Sequence, residues 1–161
     1  MKRSRQGKEQ EMAFDEEVSA STEPQGGVGI ILVSHIELGS SLLRAVEFLQ
    51  GPQFDCCAVS IMTDHDVSET VQRLNDAADR LDQGAGVLVL TDMFGGNPTN
   101  ITLSLLGKHN VEVVTGVNLP MLLKVFESRG QPLEELAETA RKAGIDGIVV
   151  AGQMLSRPWK K

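Results

Sequence analysis

Long apolar runs are missing from this 161-residue chain. The longest are stretches such as residues 28–33 and 87–90, far short of the about 18–20 residues a membrane-crossing helix needs, so the sequence reads as that of a soluble protein. Clustered positive charge is missing too. Fifteen Lys and Arg stand against 22 Asp and Glu, a net charge of −7, and no basic cluster occurs beyond the first eight residues. Affinity for a phosphate backbone needs such clusters, so a general nucleic-acid binder is excluded. Cysteine is scarce: Cys56 and Cys57 are neighbours, and bridging adjacent residues distorts the backbone, so a disulfide framework is excluded and two small buried apolar side chains in a reducing compartment are expected. Near the N-terminus, Lys2, Arg3, Arg5 and Lys8 are followed by Glu9, Glu11, Asp15, Glu16 and Glu17, where a signal peptide would need an apolar core. The expected location is cytoplasmic. Glycine-rich turns that bind nucleotides follow a strand, whereas Gly27-Val28-Gly29 and Gly84-Ala85-Gly86 precede one, so nucleotide binding is disfavoured.

What is present is the material of one globular domain: 41% hydrophobic and 23% charged residues, enough to bury roughly two thirds of the unfolded chain's surface. Residues 1–27 are polar and end in Ser-Thr-Glu-Pro-Gln-Gly-Gly, the composition of a disordered tail. The domain is expected over 28–155, with a short basic tail at 156–161 in which Trp159 makes a peripheral contact. Within the domain, nearly continuous β-branched runs at 28–33, 56–62, 87–90, 111–114 and 148–151 read as strands buried on both faces. Between them, Leu38, Leu42, Ala45, Val46 and Leu49, and then Val67, Val71, Leu74, Ala78 and Leu81, recur at helical spacing. Further helices are expected from Pro98 to about Gly107 with Asn97 as cap, from about Pro120 to Gly130, and over 133–143. Strands alternating with helices in this way predict an α/β fold, an open three-layer sandwich with a mostly parallel sheet and helices on both faces. No internal repeat is visible.

In such sheets, ligands bind beyond the carboxyl ends of the strands, where strand order reverses. His35 stands at the end of the first strand, with a helix beginning near Gly39. Backbone N–H groups at a helix start attract anions, so a histidine there is placed to carry a phosphoryl group. Alone it would read as an ordinary loop histidine. The third strand, however, ends in Asp92-Met93-Phe94-Gly95-Gly96-Asn97-Pro98, and an aspartate at that tip can hold one imidazole nitrogen so that the other presents its lone pair. The two glycines allow a tight turn and a close approach, although an ordinary strand-turn-helix junction would use them equally well.

Taken together, Ser34-His35, Asp92-Met93-Phe94-Gly95-Gly96-Asn97-Pro98-Thr99-Asn100 and Thr115-Gly116-Val117-Asn118-Leu119-Pro120-Met121-Leu122 resemble the EIIA component of the mannose family of the bacterial phosphoenolpyruvate-dependent sugar phosphotransferase system. The resemblance runs over residues 28–129. It implies a domain that dimerises, with the final strand exchanged between subunits, and a phosphohistidine at His35. It implies a donor, HPr, an acceptor, EIIB, and indirect association with membrane EIIC and EIID. Asp92 would orient His35 by holding Nδ1–H, and Glu37, Leu38, Gly39, Gly95, Gly96 and Asn97 would bind the phosphoryl group, with no metal or organic cofactor. Where some members carry hydroxyl residues, this chain has Met93 and Asn97; Met93 cannot donate a hydrogen bond, whereas Asn97 can.

Other residues receive plainer readings. Asp64-His65-Asp66 has metal-ligand residue types, but adjacent positions on an extended loop point apart and no second cluster supports them. His109 leads into the fourth strand from its amino end, the wrong side of the sheet. Asn118-Leu119-Pro120 is either crevice floor or a turn and helix start, and Leu119 with Met121 could form an apolar collar for HPr. The expected function is phosphoryl relay from HPr through His35 to EIIB during uptake of a mannose-class sugar. The rivals are a regulatory phosphoprotein signalling carbon status, and the phosphoryl-donor subunit of dihydroxyacetone kinase.

Overall fold

A computed structural model describes residues 26–62 and 66–155. The N-terminal tail up to residue 25, the Asp64-His65 part of the acidic loop and residues 156–161 with Trp159 lie outside the described residues. In chain order the elements are β1 (Gly29–His35), α1 (Leu38–Gln50), β2 (Cys56–Ile61), α2 (Val67–Leu81), β3 (Val87–Thr91), α3 (Asn97–Thr102), β4 (Val111–Thr115), α4 (Leu119–Glu127), α5 (Leu133–Asp146) and α6 (Ala151–Leu155).

The strands form one parallel sheet in the order β2-β1-β3-β4. Successive side chains of β1 point to opposite faces, and both faces are covered, which is why its sequence is continuously apolar. Ile30 and Leu32, with Leu88 and Leu90 of β3, pack under Leu43 and Val46 of α1, Leu122 and Val125 of α4, and Leu136 and Ala140 of α5. Ile31 and Val33, with Val89, face Leu74, Ala77 and Ala78 of α2 and Ile101 and Leu105 around α3. Each fully buried aliphatic side chain contributes about 1.5–3 kcal/mol relative to exposure, so these two layers hold the sandwich together. The expected α/β three-layer architecture is therefore present. Its strand order reverses between β1 and β3, since the chain leaves β1 towards β2 and returns past it to β3. The register sets Val33 opposite Thr91 and Thr91 opposite Thr115, so β3 and β4 finish level and β1 runs two residues beyond them to His35.

The expected fifth strand at 148–151 is corrected. Residues 148–150 have no regular structure, and Ala151 already belongs to α6. Ile148 is 76% exposed, and Val149 and Val150 are more than half exposed. The run leaves α5 clear of the sheet, and β4 has no strand neighbour on its outer side among the described residues. The third helix also differs: its cap is Gly96, Asn97 is its first residue, and the α-helical part stops at Thr102, with a short 3-10 turn over Leu103–Leu105. β1 extends through His35 itself, opposite Ile61.

Candidate functional site

The tips of β1 and β3 are adjacent, and they bring together residues 57 positions apart in the chain. Asp92 Oδ2 accepts the His35 backbone N–H at 2.9 Å and lies 2.8 Å from His35 Nδ1. One carboxylate oxygen thus fixes both the main chain and the ring of the histidine. The Asp92 side chain is only 9% exposed, that of His35 42%. Burial alone would raise the Asp92 carboxyl, but the His35 N–H and the ring hydrogen bond, joined by the positive charge of the ring when it is protonated, outweigh it and hold its pKa below the ordinary carboxylate value. An ionised Asp92 only accepts hydrogen bonds, so Nδ1 must carry the proton and Nε2 the lone pair.

The turns after these strands complete the site. After β1, Ile36 has φ +53° and its N–H donates to the Ile61 carbonyl at 3.3 Å. This is a left-handed conformation that a β-branched residue adopts only at a cost. Glu37, as its N-cap, and Leu38 then open α1, a 13-residue helix whose first turn beyond the cap holds no acidic residue and whose cap side chain makes no hydrogen bond to the helix amides. Gly39 is buried, and its N–H donates to Ser34 Oγ at 2.7 Å. That donor is engaged by the chain itself, which corrects the expectation that Gly39 binds the phosphoryl group: Ser34, which the sequence offered only as part of the Ser34-His35 motif, ties the first turn of α1 to β1. After β3, Gly95 turns the chain at φ +80°. Gly96 passes so close to the imidazole that a Cβ there would lie 3.2 Å from His35 Cε1. The Asn97 side chain lies outside the described part of the structure.

The predicted collar is corrected as well. Met121 is buried in the core, and Leu119 packs against the same cluster. Asn118 Oδ1 accepts the Met121 N–H at 3.0 Å and its Nδ2 donates to the Gly144 carbonyl at 3.0 Å, so it caps α4 and ties it to α5. The exposed apolar side chains on the stretches that follow β1 and β3 are Ile36 at 62%, Phe94 at 76%, and the half-exposed Leu38 and Met93. Phe94 was legible in principle: it stands directly before the two glycines of a tight turn. His109 stays away from the site, with Nε2 2.9 Å from Asn75 Oδ1 and Nδ1 3.3 Å from Asp79. Asp66 caps α2 through the Ser68 N–H at 2.8 Å. Among the described residues no group of acidic, histidine and cysteine side chains is arranged to hold a metal, and no helix is long and apolar enough to cross a membrane.

The sequence and fold match a known family. The family model EIIA-man, described as PTS system fructose IIA component, matches residues 29–143. The chain belongs to this EIIA family. It is 28% identical over 124 residues to the PTS system mannose-specific EIIAB component of Escherichia coli K12, covering 75% of this chain and 38% of that protein. It is 36% identical over 102 residues to the PTS system sorbose-specific EIIA component of Lacticaseibacillus casei, covering 60% of this chain and 70% of that one. The chain therefore spans well under half the length of the mannose-specific relative. Among solved structures, it resembles the mannose/sorbose specific IIA subunit of the phosphotransferase system from Enterococcus faecalis with a TM-score of 0.71 at 25% identity, over 84% of this chain and 99% of that one. The PTS IIA protein associated with the fucose utilization operon from Streptococcus pneumoniae gives 0.69 at 29% identity, over 81% and 97%. The EIIA membership and the sugar phosphotransferase setting expected from the motifs agree with these findings.

Proposed function

We propose that this EIIA domain is a cytoplasmic phosphotransferase that accepts a phosphoryl group from phospho-HPr on His35 Nε2 and passes it to an EIIB component during uptake of a mannose-class sugar. The observation that carries this reading is the 2.8 Å contact of His35 Nδ1 with a buried, ionised Asp92, which leaves Nε2 as the free nucleophile. The Nε2 lone pair attacks phosphorus, the bond from phosphorus to the donor nitrogen breaks, and that nitrogen takes back its electron pair. The proton on Nδ1 stays in place. The phosphorylated ring then carries positive character that the Asp92 carboxylate offsets. Transfer back out to EIIB reverses the same steps. Through the loose transition state of phosphoryl transfer, the chain contributes position and electrostatics: the Glu37 and Leu38 amides at the start of α1, and the Gly95 and Gly96 backbone on the opposite turn.

The exposed side chains of Ile36, Leu38, Met93 and Phe94, on the stretches that follow β1 and β3, offer apolar surface on which a protein partner docks. The exposed run at 148–150 and the open outer edge of β4 support a homodimer in which each chain lends this segment to its partner's sheet. Association with membrane EIIC and EIID follows through EIIB. Incubation with phosphoenolpyruvate, enzyme I and HPr should give an acid-labile phosphoprotein that discharges onto EIIB. Labelling of His35→Ala at the wild-type rate would refute the assignment, and phosphorylation without onward transfer would refute the transport role.

A further inference from the structure

We propose that Thr99 is a positioning residue for His35, acting through Asp92; the proposal rests on the relay reading above. Thr99 sits in the first turn of α3, buried, with its side chain reaching back across the turn that follows β3. Its hydroxyl donates to the Met93 carbonyl at 2.5 Å, and the same oxygen lies 3.3 Å from Thr91 Oγ1. A hydroxyl has one proton, and here it is committed to Met93, so Thr91 is the donor in the second contact. A single buried oxygen therefore bonds the residue before Asp92 and the residue after it.

The consequence runs in two further steps. Asp92, held on both sides, presents one oxygen to both the N–H and Nδ1 of His35. Further round the same turn, the Gly96 backbone lies against the imidazole edge. Releasing the Met93 carbonyl would let the acceptor and the wall of the ring shift together, and a misplacement of about 1 Å at a reacting group costs about 10²-fold in rate. Thr102 provides the contrast. Its equally buried hydroxyl bonds the Pro98 and Thr99 carbonyls at 2.7 and 2.9 Å, both within its own helix, and makes no link to the turn. A bond spent on helix satisfaction is local, whereas the Thr99 bond spans the site.

The test compares Thr99→Val, which keeps the shape and removes the hydroxyl, with Thr99→Ser, which keeps the hydroxyl, and with Thr102→Val as the buried control. Imidazole nitrogen NMR of the unphosphorylated full chain should show the Nδ1–H tautomer of His35 in wild type, Thr99→Ser and Thr102→Val, and a mixture of tautomers in Thr99→Val. With phospho-HPr, kcat for Thr99→Val should fall about tenfold while KM for HPr stays within about twofold, and Thr99→Ser should recover the rate. Unchanged ring shifts and unchanged kcat in Thr99→Val would overturn the proposal. Should that variant not fold, Thr99→Ala is read in the same spectrum with the same two outcomes. The tautomer measurement needs no partner protein, so a wild-type chain that accepts no phosphoryl group would refute the relay reading, while the ring spectrum would still decide the role of Thr99.

Discussion

The two ends of the parallel sheet are built on opposite terms. At the amino end, Arg129 closes the structure on itself. Its guanidinium donates to the carbonyls of Val28 at 2.9 Å, of Phe54, and of Asp55 at 3.4 Å, lies 3.9 Å from Asp55 Oδ2, and stacks 5.8 Å above the Phe126 ring, with its side chain only 12% exposed. At the carboxyl end, the His35 ring, the first amides of α1 and four apolar side chains face outward. Each end holds one non-glycine residue at positive φ: Asp55 at +50° and Ile36 at +53°. Aspartate tolerates that conformation, and the Asp55 carbonyl gains a charged donor there. Ile36 is β-branched and mostly exposed, and its N–H bond to the Ile61 carbonyl is a long one, 3.3 Å. In this domain the amino end buries its charged side chain against backbone acceptors, and the carboxyl end keeps His35 and four apolar side chains exposed.

That contrast can be broken at either end. The largest effect should follow Asp92→Ala, which removes both anchors of His35: phosphoryl uptake at saturating HPr should slow about 10²-fold, while urea unfolding shows a loss of only about 1 kcal/mol. Equal losses in rate and stability would erase the distinction between the ends. Next comes Arg129→Ala, which strands several buried acceptors. A loss of about 3 kcal/mol is expected in urea unfolding, with kcat of the folded fraction unchanged. A tenfold fall in kcat in that fraction would show that the amino end reaches the site. Smaller again is Ile36→Gly. It removes the strained side chain, so the thermal midpoint should hold or rise, while KM for HPr rises about tenfold and Ile36→Leu stays near wild type. An unchanged KM would count against the docking role of Ile36.

What could be read from the sequence follows from the same physics. β1 to β4 were legible because strands buried on both faces need continuous apolar runs, and His35 with Asp92 because parallel topology brings strand tips together. The run at 148–150 has equally strong β character, but strand propensity does not name the partner strand, and among the described residues this segment pairs with none. Met121 was placed near the site by its position in sequence, yet the face of α4 that carries Met121, Leu122 and Val125 turns inward. Thr99 and Ser34 stood in the quoted motifs, but what they do there was not legible. Their roles lie in hydrogen bonds across a turn, and no periodicity reports those. The adjacent cysteines were legible as packing: both are buried, and desolvation, partly opposed by Arg129, pushes the Cys56 thiol up to about 12.

The smallest predicted effect separates the ends by proton linkage. In the folded chain Asp92 titrates below its ordinary value, because burial, which would raise it, is outweighed by the hydrogen bonds and charge of His35. A carboxyl with a depressed folded pKa stabilises above its unfolded value of about 3.9, and that contribution is lost as pH falls through the folded value. Asp92→Asn keeps the shape and removes this titration. The stability difference between wild type and Asp92→Asn, measured by urea unfolding at several pH values, should be constant from about pH 7 to about pH 5 and shrink below about pH 4. Arg129 stays protonated throughout this range, so the difference between wild type and Arg129→Ala should not follow the same curve. If the two differences fell together, acid would be loosening the sheet as a whole, and the carboxyl end would have no titration of its own.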